Sequence, residues 1–195
     1  MRLIERAGKM QKSRKETADY FLYDCGLLDE LKKYGEVHMI GSYRMDMMAW
    51  NDLDIDVDNA GMSQEKLYQL TSFIIDKFHP TWYEAKQEIN AEGNTVWFHG
   101  FETMMTGELW NFDIWFLDKA KIEDTVQYCD AIAQKASPEQ KSKIVKIKEA
   151  LINKNMYSFE QYRSVDVYKA VVGMGISGID EFLRRYDVER DRDRD

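Results

Sequence analysis

Apolar residues recur along the chain with two different periods, which predicts a mixture of helices and strands. Helical spacing covers residues 1–34, with a break expected at 24–26, and residues 64–80, with Ser63 as the expected N-cap. Residues 92–94, Glu-Gly-Asn, are typical of a hairpin turn. Runs of strand length, alternating or continuously apolar, are found at residues 36–40, 53–58, 81–89, 95–103 and 109–117.

The apolar pattern from residue 121 to 186 is helical throughout. The candidate helices cover residues 121–135, 138–153, 159–172 and 178–186. Pro138 suits the first position of the second of these helices. The predicted fold is therefore α/β (α+β), with a mixed sheet, crossover helices and a helical C-terminal region. The expected domains are a core at 1–118 that includes the N-terminal helix, a helical region at 119–187, and an unstructured charged tail at 188–195.

Composition narrows the classes of partner. The 195 residues are 44% hydrophobic, which is enough for a folded core, and the formal net charge is −8. An acidic surface repels a phosphate backbone, so a nucleic-acid partner, and with it an RNA-modifying enzyme, is not expected. Nucleotides remain possible ligands where divalent cations neutralise them, and a cationic small molecule would suit this charge.

The chain shows no sign of export or membrane insertion. Its first twenty residues are charged, and no run of 18 apolar residues occurs. Cys25 and Cys129 are far apart in the sequence and are expected to be free thiols in a reducing compartment. We therefore expect a cytoplasmic protein without a membrane partner.

The segment Asp52–Asp58 is the most informative part of the sequence. If it is a strand, Leu53, Ile55 and Val57 share one face and four carboxylates share the other. Residues two apart in a strand are roughly 6.5 to 7 Å apart, and carboxylates at this distance repel one another unless a cation lies between them. Magnesium favours such carboxylates together with water and substrate phosphates.

Two other interpretations of this segment stay open at this point. A solvated edge strand could carry the charges to block aggregation. A calcium loop is the other, because Asp54, Asp56, Asp58 and Glu65 have the spacing of EF-hand ligands. The calcium loop is disfavoured because Asn59 occupies the position that normally requires glycine, and because the aliphatic alternation is typical of a strand.

The residues before this strand favour a catalytic site. Ile40-Gly41-Ser42, the intervening residues 43–53, and Asp54-Ile55-Asp56 resemble the signature of the polymerase-β-type nucleotidyltransferase superfamily. That resemblance implies that Asp54 and Asp56 hold Mg²⁺, with two ions expected. It also implies that Gly41 allows close backbone approach and that Ser42 binds the phosphates of a nucleoside triphosphate, with ATP the expected one.

The resemblance also requires a third carboxylate on a later strand. Phe112, Ile114 and Phe116 form one apolar face there, so Asp113 lies on the opposite face. The resemblance implies that Asp113 joins the metals or acts as base for the acceptor hydroxyl, whereas the alternative is an edge-strand acid facing water. Nearby acids are further candidates for the base, or solvated groups: Glu84, Glu88, Glu92, Glu102 and Glu108.

Two cations are candidate nucleotide ligands. Arg44 follows Ser42 by two residues, and Lys169 lies on a predicted C-terminal helix of the kind that closes over the nucleotide in such proteins. A surface position on a helix is the alternative interpretation for both side chains.

The expected activity is Mg²⁺-dependent transfer of a nucleoside monophosphate from an NTP to a hydroxyl group, with release of pyrophosphate. In size and layout the chain resembles the small antibiotic nucleotidyltransferases of the aminoglycoside and lincosamide type, which implies a small-molecule acceptor. The alternative is an antitoxin-like or protein-adenylylating regulatory module that binds a partner protein. The acceptor, the nucleotide preference and the oligomeric state are left open by the sequence.

Overall fold

The computed structural model describes residues 14–158 and 160–192. The chain divides into two compact units. The first contains the described residues up to 44 together with 51–127, and the second contains 45–50 and the described residues from 128 onward. The observed division falls inside the helix that begins at Lys119, whereas the sequence predicted a boundary before that helix.

The first unit begins with two short helices. Helix α1 spans Arg14–Asp19 and continues as a π-helical turn at Tyr20–Asp24, and α2 spans Leu27–Leu31. Gly26, with a φ of 80°, separates them, which confirms the predicted break. The part of the predicted N-terminal helix at residues 1–13 lies outside the described residues.

A five-stranded sheet forms the centre of the first unit. The strands are β1 (Val37–Met39), β2 (Asp52–Asp58), β3 (Trp82–Ile89), β4 (Thr95–Met105) and β5 (Glu108–Leu117). Their spatial order is β1-β2-β5-β4-β3, with β2 and β5 parallel and all other neighbours antiparallel. This mixed sheet confirms the predicted fold class.

Two further helices of this unit flank β2 in the sequence. Helix α3 is a single turn, Gly41–Arg44, between β1 and β2. Helix α4 spans Gln64–Phe78 between β2 and β3, and its predicted N-cap is confirmed because the Ser63 side chain accepts a hydrogen bond from the Lys66 N–H. The helix ends at His79, which adopts a φ of 47°.

One face of the sheet carries the core, and we call it the inner face. Its fully buried residues are Leu53, Ile55, Val57, Trp110, Phe112, Ile114 and Phe116. Phe21 from the π-helical turn packs against Phe112 with ring centroids 4.9 Å apart, and Phe78 of α4 stacks on Phe101 at 5.4 Å. The opposite side, the outer face, carries the alternating acidic residues of β2.

The second unit is helical in its described part. Helix α5 (Lys119–Lys135) leads into it, followed by α6 (Pro138–Asn153), α7 (Ser164–Tyr168) with a π-helical continuation at Lys169–Gly173, and α8 (Ile179–Arg192). Ser137 and Gln140 form a capping box before α6, and Pro138 is in its first turn as predicted.

Two predicted boundaries in this unit differ from the observed ones. The helix predicted at 159–172 begins at Ser164, and residue 159 lies outside the described part. Helix α8 is described as far as Arg192, whereas the charged tail was predicted to begin at residue 188. Residues 193–195 lie outside the described part. In the described ranges no helix is long and apolar enough to cross a membrane, and no disulfide joins Cys25 and Cys129.

Candidate metal centre

The parallel pairing of β2 with β5 brings three carboxylates together on the outer face. Asp54 lies directly opposite Asp113, and Asp52 lies opposite Asn111. Asp52, Asp54 and Asp113 each offer an oxygen atom, and these three atoms all lie within 4.8 Å of one another. Because β2 lies between β1 and β5, and β5 between β2 and β4, neither acid-bearing strand is at an edge. The edge-strand interpretation is therefore wrong. The calcium-loop interpretation is wrong because Asp52–Asp58 is a strand.

The surroundings of this group favour a bound cation. Asp52 is buried, and its Oδ1 accepts a hydrogen bond of 2.9 Å from the Asn111 amide. Asp113 is half-buried, and this burial raises the pKa of its carboxyl group, while the Asn111 amide acts in the opposite direction. Three oxygen ligands in a partly buried, mutually repelling group fit the ligand preference of Mg²⁺.

The single helical turn α3 begins directly against Asp54. Gly41 has a φ of 59°, and a Cβ atom on it would meet Asp54 Oδ2 at 2.1 Å. The Ile40 N–H donates to the Asp54 carbonyl oxygen at 3.1 Å, which fixes the start of the turn to β2. Glycine is required here for two reasons, the left-handed backbone and the closeness of the carboxylate.

Ser42 follows in the same turn and is almost fully buried, with 4% of its surface exposed. Its Oγ atom has no hydrogen-bond partner in the part of the chain that the structure describes. Buried hydroxyl groups normally have a partner, because an unsatisfied one costs about 1 to 3 kcal/mol. Ser42 is therefore a polar group suited to an external hydrogen-bond acceptor.

Asp56, predicted as a metal ligand, is not a member of the carboxylate group. It lies one alternation further along β2, opposite Trp115 of β5 and His38 of β1. It is 2% exposed, and among the described residues its Oδ2 has no hydrogen-bond partner. Burial raises the pKa of Asp56 to about 7, although the Lys121 charge acts in the opposite direction.

The two predicted nucleotide-binding cations have different settings. Arg44 is half-buried at the end of α3, where its Nη1 donates to the Met39 carbonyl oxygen at 3.3 Å. Lys169 is exposed at the start of the π-helical continuation of α7 in the second unit.

The outer face continues beyond Asp113 onto β4 and β3. Gly100 of β4 lies opposite Asp113, and a Cβ atom on it would meet the Phe98 ring at 2.7 Å and the Trp82 ring at 3.0 Å. Two aromatic rings therefore cover the backbone next to the carboxylate group. Glu84 lies opposite Gly100 on the far side, and Trp82 is 44% exposed.

The sequence alone did not identify several of these residues. Asp52 was not singled out, because four aspartates with the same alternation are equivalent until the register with β5 is known. Gly100 becomes a functional candidate through the pairing of β4 with β5, and Trp82 through the pairing of β3 with β4. The pairing of β2 with β5 places Asn111 beside Asp52. The Asn-x-Asp order of residues 111–113 could have indicated Asn111, since a polar residue two positions from Asp113 shares its face.

No family profile and no curated protein matches the sequence. Solved structures do match in fold. The Cid1 poly(U) polymerase bound to MgATP is 17% identical with a TM-score of 0.58, and the match covers 83% of this chain and 50% of that chain. A cytoplasmic RNA terminal U-transferase is 18% identical with a TM-score of 0.56, covering 83% and 48%. The GLD-2–GLD-3 poly(A) polymerase complex is 13% identical with a TM-score of 0.57, and the match covers 87% of this chain and 56% of that chain.

The present chain thus spans about half the length of the structures that it matches. Its mixed sheet and helices have the nucleotidyltransferase fold of these structures. At this level of identity the likeness concerns the fold, so the chemistry must be argued from the site.

Proposed function

We propose that the chain is a Mg²⁺-dependent nucleotidyltransferase that transfers a nucleoside monophosphate from an NTP, ATP in the first instance, to an acceptor hydroxyl. The observation that carries this proposal is the group of Asp52, Asp54 and Asp113, with oxygen atoms within 4.8 Å of one another. The Gly41 turn packed on Asp54 supports it, because metal and phosphate ligands would then be adjacent.

The proposed metal ligands are Asp52, Asp54 and Asp113. Asp52 is proposed in place of Asp56, the ligand predicted from the sequence, because Asp52 shares the cluster and Asp56 does not. Bound Mg²⁺, with two ions expected, would neutralise the phosphates and the charge that develops on the attacking and leaving oxygens.

The Gly41–Ser42 turn is the proposed phosphate site. The buried Ser42 hydroxyl would donate to a phosphate oxygen, which supplies the partner that the described residues do not. Arg44 at the end of the same turn is a proposed second contact with the triphosphate. Lys169 belongs to the other unit, and its contact with a nucleotide stays a prediction.

In-line displacement determines the side from which the acceptor approaches. The pyrophosphate would leave toward the Ser42 turn beside β2, so the acceptor hydroxyl attacks the α-phosphorus from the opposite side, toward β5 and β4. In this scheme the acceptor oxygen forms a bond to phosphorus, the bond to pyrophosphate breaks, and Asp113 takes the hydroxyl proton. Catalysis is then mainly positioning and electrostatic stabilisation.

The charges on the acceptor side favour a small molecule with amino groups, such as a hydroxylated antibiotic. Glu84 and Glu102 lie next to Gly100 and Asn111 on the outer face, and Lys86 is paired with Glu84 and Glu88. Exposed Trp82 offers a flat apolar surface for a ring. These acids would repel the phosphates of a polymer.

The 3′ end of an RNA is the second candidate acceptor. The poly(U) polymerase, the poly(A) polymerase and the U-transferase that share this fold favour it. The net charge of −8 argues against it, because it weakens binding to a phosphate backbone.

The test is a transfer assay with α-labelled ATP and Mg²⁺, with EDTA as the metal control and Asp113→Asn as the variant control. The acceptors are a panel of aminoglycosides, a lincosamide, a neutral polyol and a short unstructured RNA. Label on an aminated small molecule is the expected result. Label on the RNA would overturn the small-molecule assignment only. If no acceptor is labelled and wild-type protein does not bind Mg·ATP in calorimetry, the nucleotidyltransferase assignment is wrong.

A further inference from the structure

The Gly41–Ser42 turn is held on two sides, and only one of them involves the sheet. On the sheet side, the Ile40 N–H bonds to the Asp54 carbonyl oxygen at 3.1 Å. Gly41 itself has no room to move toward β2, since even a methyl group would overlap the Asp54 carboxylate. On the other side, the next residue after Ser42 is Tyr43, whose side chain contacts α1.

Tyr43 is held by two residues of α1. It is 8% exposed, and its hydroxyl donates to Asp19 Oδ1 at 2.5 Å. The Lys15 ammonium nitrogen lies 3.7 Å from the centroid of the Tyr43 ring. Lys15 and Asp19 are four residues apart in one helix and therefore lie on the same helix face. From this face Lys15 contacts the Tyr43 ring and Asp19 accepts from its hydroxyl. A hydrogen bond to a carboxylate is stronger than one between neutral groups.

Helix α1 is itself fixed to the sheet. Ala18 is fully buried, and Phe21 in the continuation of α1 lies 5.4 Å from the Trp110 ring and 4.9 Å from the Phe112 ring. Burial, followed by the Asp19 hydrogen bond, raises the pKa of Tyr43, so its hydroxyl keeps its proton and remains a donor. Tyr43 therefore links the turn to an element that is immobilised in the core.

We infer that Tyr43 and Asp19 are positioning residues that set the affinity for the nucleotide by holding Ser42 at a fixed place beside Asp54. This inference rests on the proposed function, because it assigns the turn to the triphosphate. Neither residue touches the reacting atoms. Their effect reaches Ser42 through the peptide bond that joins it to Tyr43. On the other side, the close packing of Gly41 against Asp54 restrains Ser42.

The experiment compares Tyr43→Phe and Asp19→Ala with wild type in the full chain. Calorimetry measures the Kd for Mg·ATP and for Mg²⁺ alone, and the transfer assay separates KM from kcat. Loss of one charge-assisted hydrogen bond should raise the Kd and KM for Mg·ATP by roughly 5- to 10-fold. The kcat at saturating ATP and the affinity for Mg²⁺ alone should change by less than about twofold, since the carboxylates stay in place. Tyr68→Phe is the matched control, because that tyrosine is exposed and, among the described residues, its hydroxyl bonds only to the Gln64 side chain in α4.

A coupling test separates positioning from a general loss of structure. In a Ser42→Ala background, Tyr43→Phe should have no further effect on the Kd for Mg·ATP, because Tyr43 acts through Ser42. In the otherwise wild-type chain, Asp19→Asn should bind Mg·ATP more tightly than Asp19→Ala, since an amide oxygen still accepts the hydrogen bond from the Tyr43 hydroxyl. Thermal unfolding of each variant checks the fold, and Asp19→Asn carries the test if Tyr43→Phe lowers Tm by more than about 5 °C.

The outcomes separate the two proposals. If wild type binds Mg·ATP and both variants bind it equally well, the positioning role is wrong and the proposed function is unaffected. Additive effects of Ser42→Ala and Tyr43→Phe on the free energy of Mg·ATP binding would also overturn the positioning role. If wild type does not bind Mg·ATP, the proposed function fails and the positioning role fails with it.

Discussion

Gly41 and Gly93 both have positive φ angles, but their surroundings differ. Gly41 has a φ of 59° and lies against Asp54, whereas Gly93, with a φ of 84°, has no described atom within 4 Å of the position of a Cβ. The two positions share the backbone requirement for glycine and differ in the steric one. Comparing them isolates the contact with the carboxylate.

Replacing Gly41 by alanine should cost more than the same change at Gly93. We expect Gly93→Ala to lower the free energy of unfolding by about 1 kcal/mol through backbone strain alone. Gly41→Ala adds overlap with Asp54 and should cost about 2 to 4 kcal/mol. Urea denaturation measures both, and Mg·ATP binding should be lost only in Gly41→Ala. Equal losses of stability in the two variants would show that the close approach to Asp54 is unimportant.

The asparagine variants of Asp52 and Asp56 should separate a metal ligand from its buried neighbour. Asp52→Asn should lower kcat/KM at least about 100-fold, because it removes a carboxylate from the metal group. Asp56→Asn should keep activity within about tenfold and raise Tm in EDTA, because it removes a buried acid whose Oδ2 has no described partner. Steady-state kinetics and thermal unfolding provide the readouts, and the reverse order of activities would return Asp56 to the metal site.

The face of the acidic strand could be predicted from the sequence, but its register could not. Strict alternation of Leu53, Ile55 and Val57 with aspartates leaves no doubt about which side is apolar. Which aspartate meets Asp113 depends on how β2 slides against β5, and the two strands are separated by α4, β3 and β4. No local pattern carries that information.

At the scale of elements, a hydrogen-bond chain joins α4 to the inner face of β3 and β4. The Thr71 hydroxyl donates to the Leu67 carbonyl oxygen, so the Tyr83 hydroxyl must donate to Thr71. Tyr83 then accepts from Nδ1 of His99 at 2.7 Å, which assigns the proton of the neutral imidazole to Nδ1. His99 is fully buried, and burial lowers its pKa to about 4.

Protonation of His99 should destabilise the fold. The pKa of His99 is depressed from 6.5 to about 4, so its contribution to stability is complete above pH 6.5 and is lost as the pH falls toward 4. Between pH 7 and pH 5 the free energy of unfolding should fall by about 2 kcal/mol on this account. Asp56, with a pKa of about 7, contributes in the opposite direction over this range. The His99 effect is therefore measured as the difference between wild type and His99→Asn in urea denaturation at both pH values. His99→Asn can still donate to Tyr83 and does not titrate, so an unchanged pH dependence in that variant would contradict the assignment.

Element boundaries were predictable where a local signal set them. Ser63 caps α4, Ser137 caps α6 with Pro138 as its first residue, and Gly26 lies between the first two helices. These signals act within a few residues, so a single sequence is enough to identify them. The order of the strands was not predictable. It depends on contacts between distant segments, and the parallel β2–β5 pair joins strands that are not adjacent in sequence.

At the scale of the whole molecule, the net charge of −8 should affect the choice of acceptor. The acids Glu84, Glu88 and Glu102 on the acceptor side add a local contribution of the same sign. Salt screens such charges over about 8 Å at physiological ionic strength. The proposed small-molecule acceptor is therefore expected to bind with a strong dependence on ionic strength.

Ionic strength should distinguish acceptors by their charge. The KM for a hydroxylated acceptor that carries several amino groups should rise roughly 3- to 10-fold between low salt and about 0.3 M KCl, because its attraction to the acidic surface is screened. The KM for a neutral polyol should stay constant over the same range, and it serves as the control. Steady-state assays at fixed Mg·ATP measure both values. A KM for the cationic acceptor that stays constant or falls with salt would contradict the proposed attraction to the acidic surface.

The position of β2 between β1 and β5 has a consequence for biosynthesis. Asp52 and Asp54 leave the ribosome well before Glu108–Leu117, so the nascent chain carries two of its three clustered acids without the strand that completes the group. Pairing across this sequence distance must await the β3–β4–β5 meander, and such non-local contacts form late. A fragment that ends before Glu108 would expose an unpaired edge of β2, prone to association with other chains. The carboxylate group of Asp52, Asp54 and Asp113 is therefore one of the last parts of the first unit to be assembled.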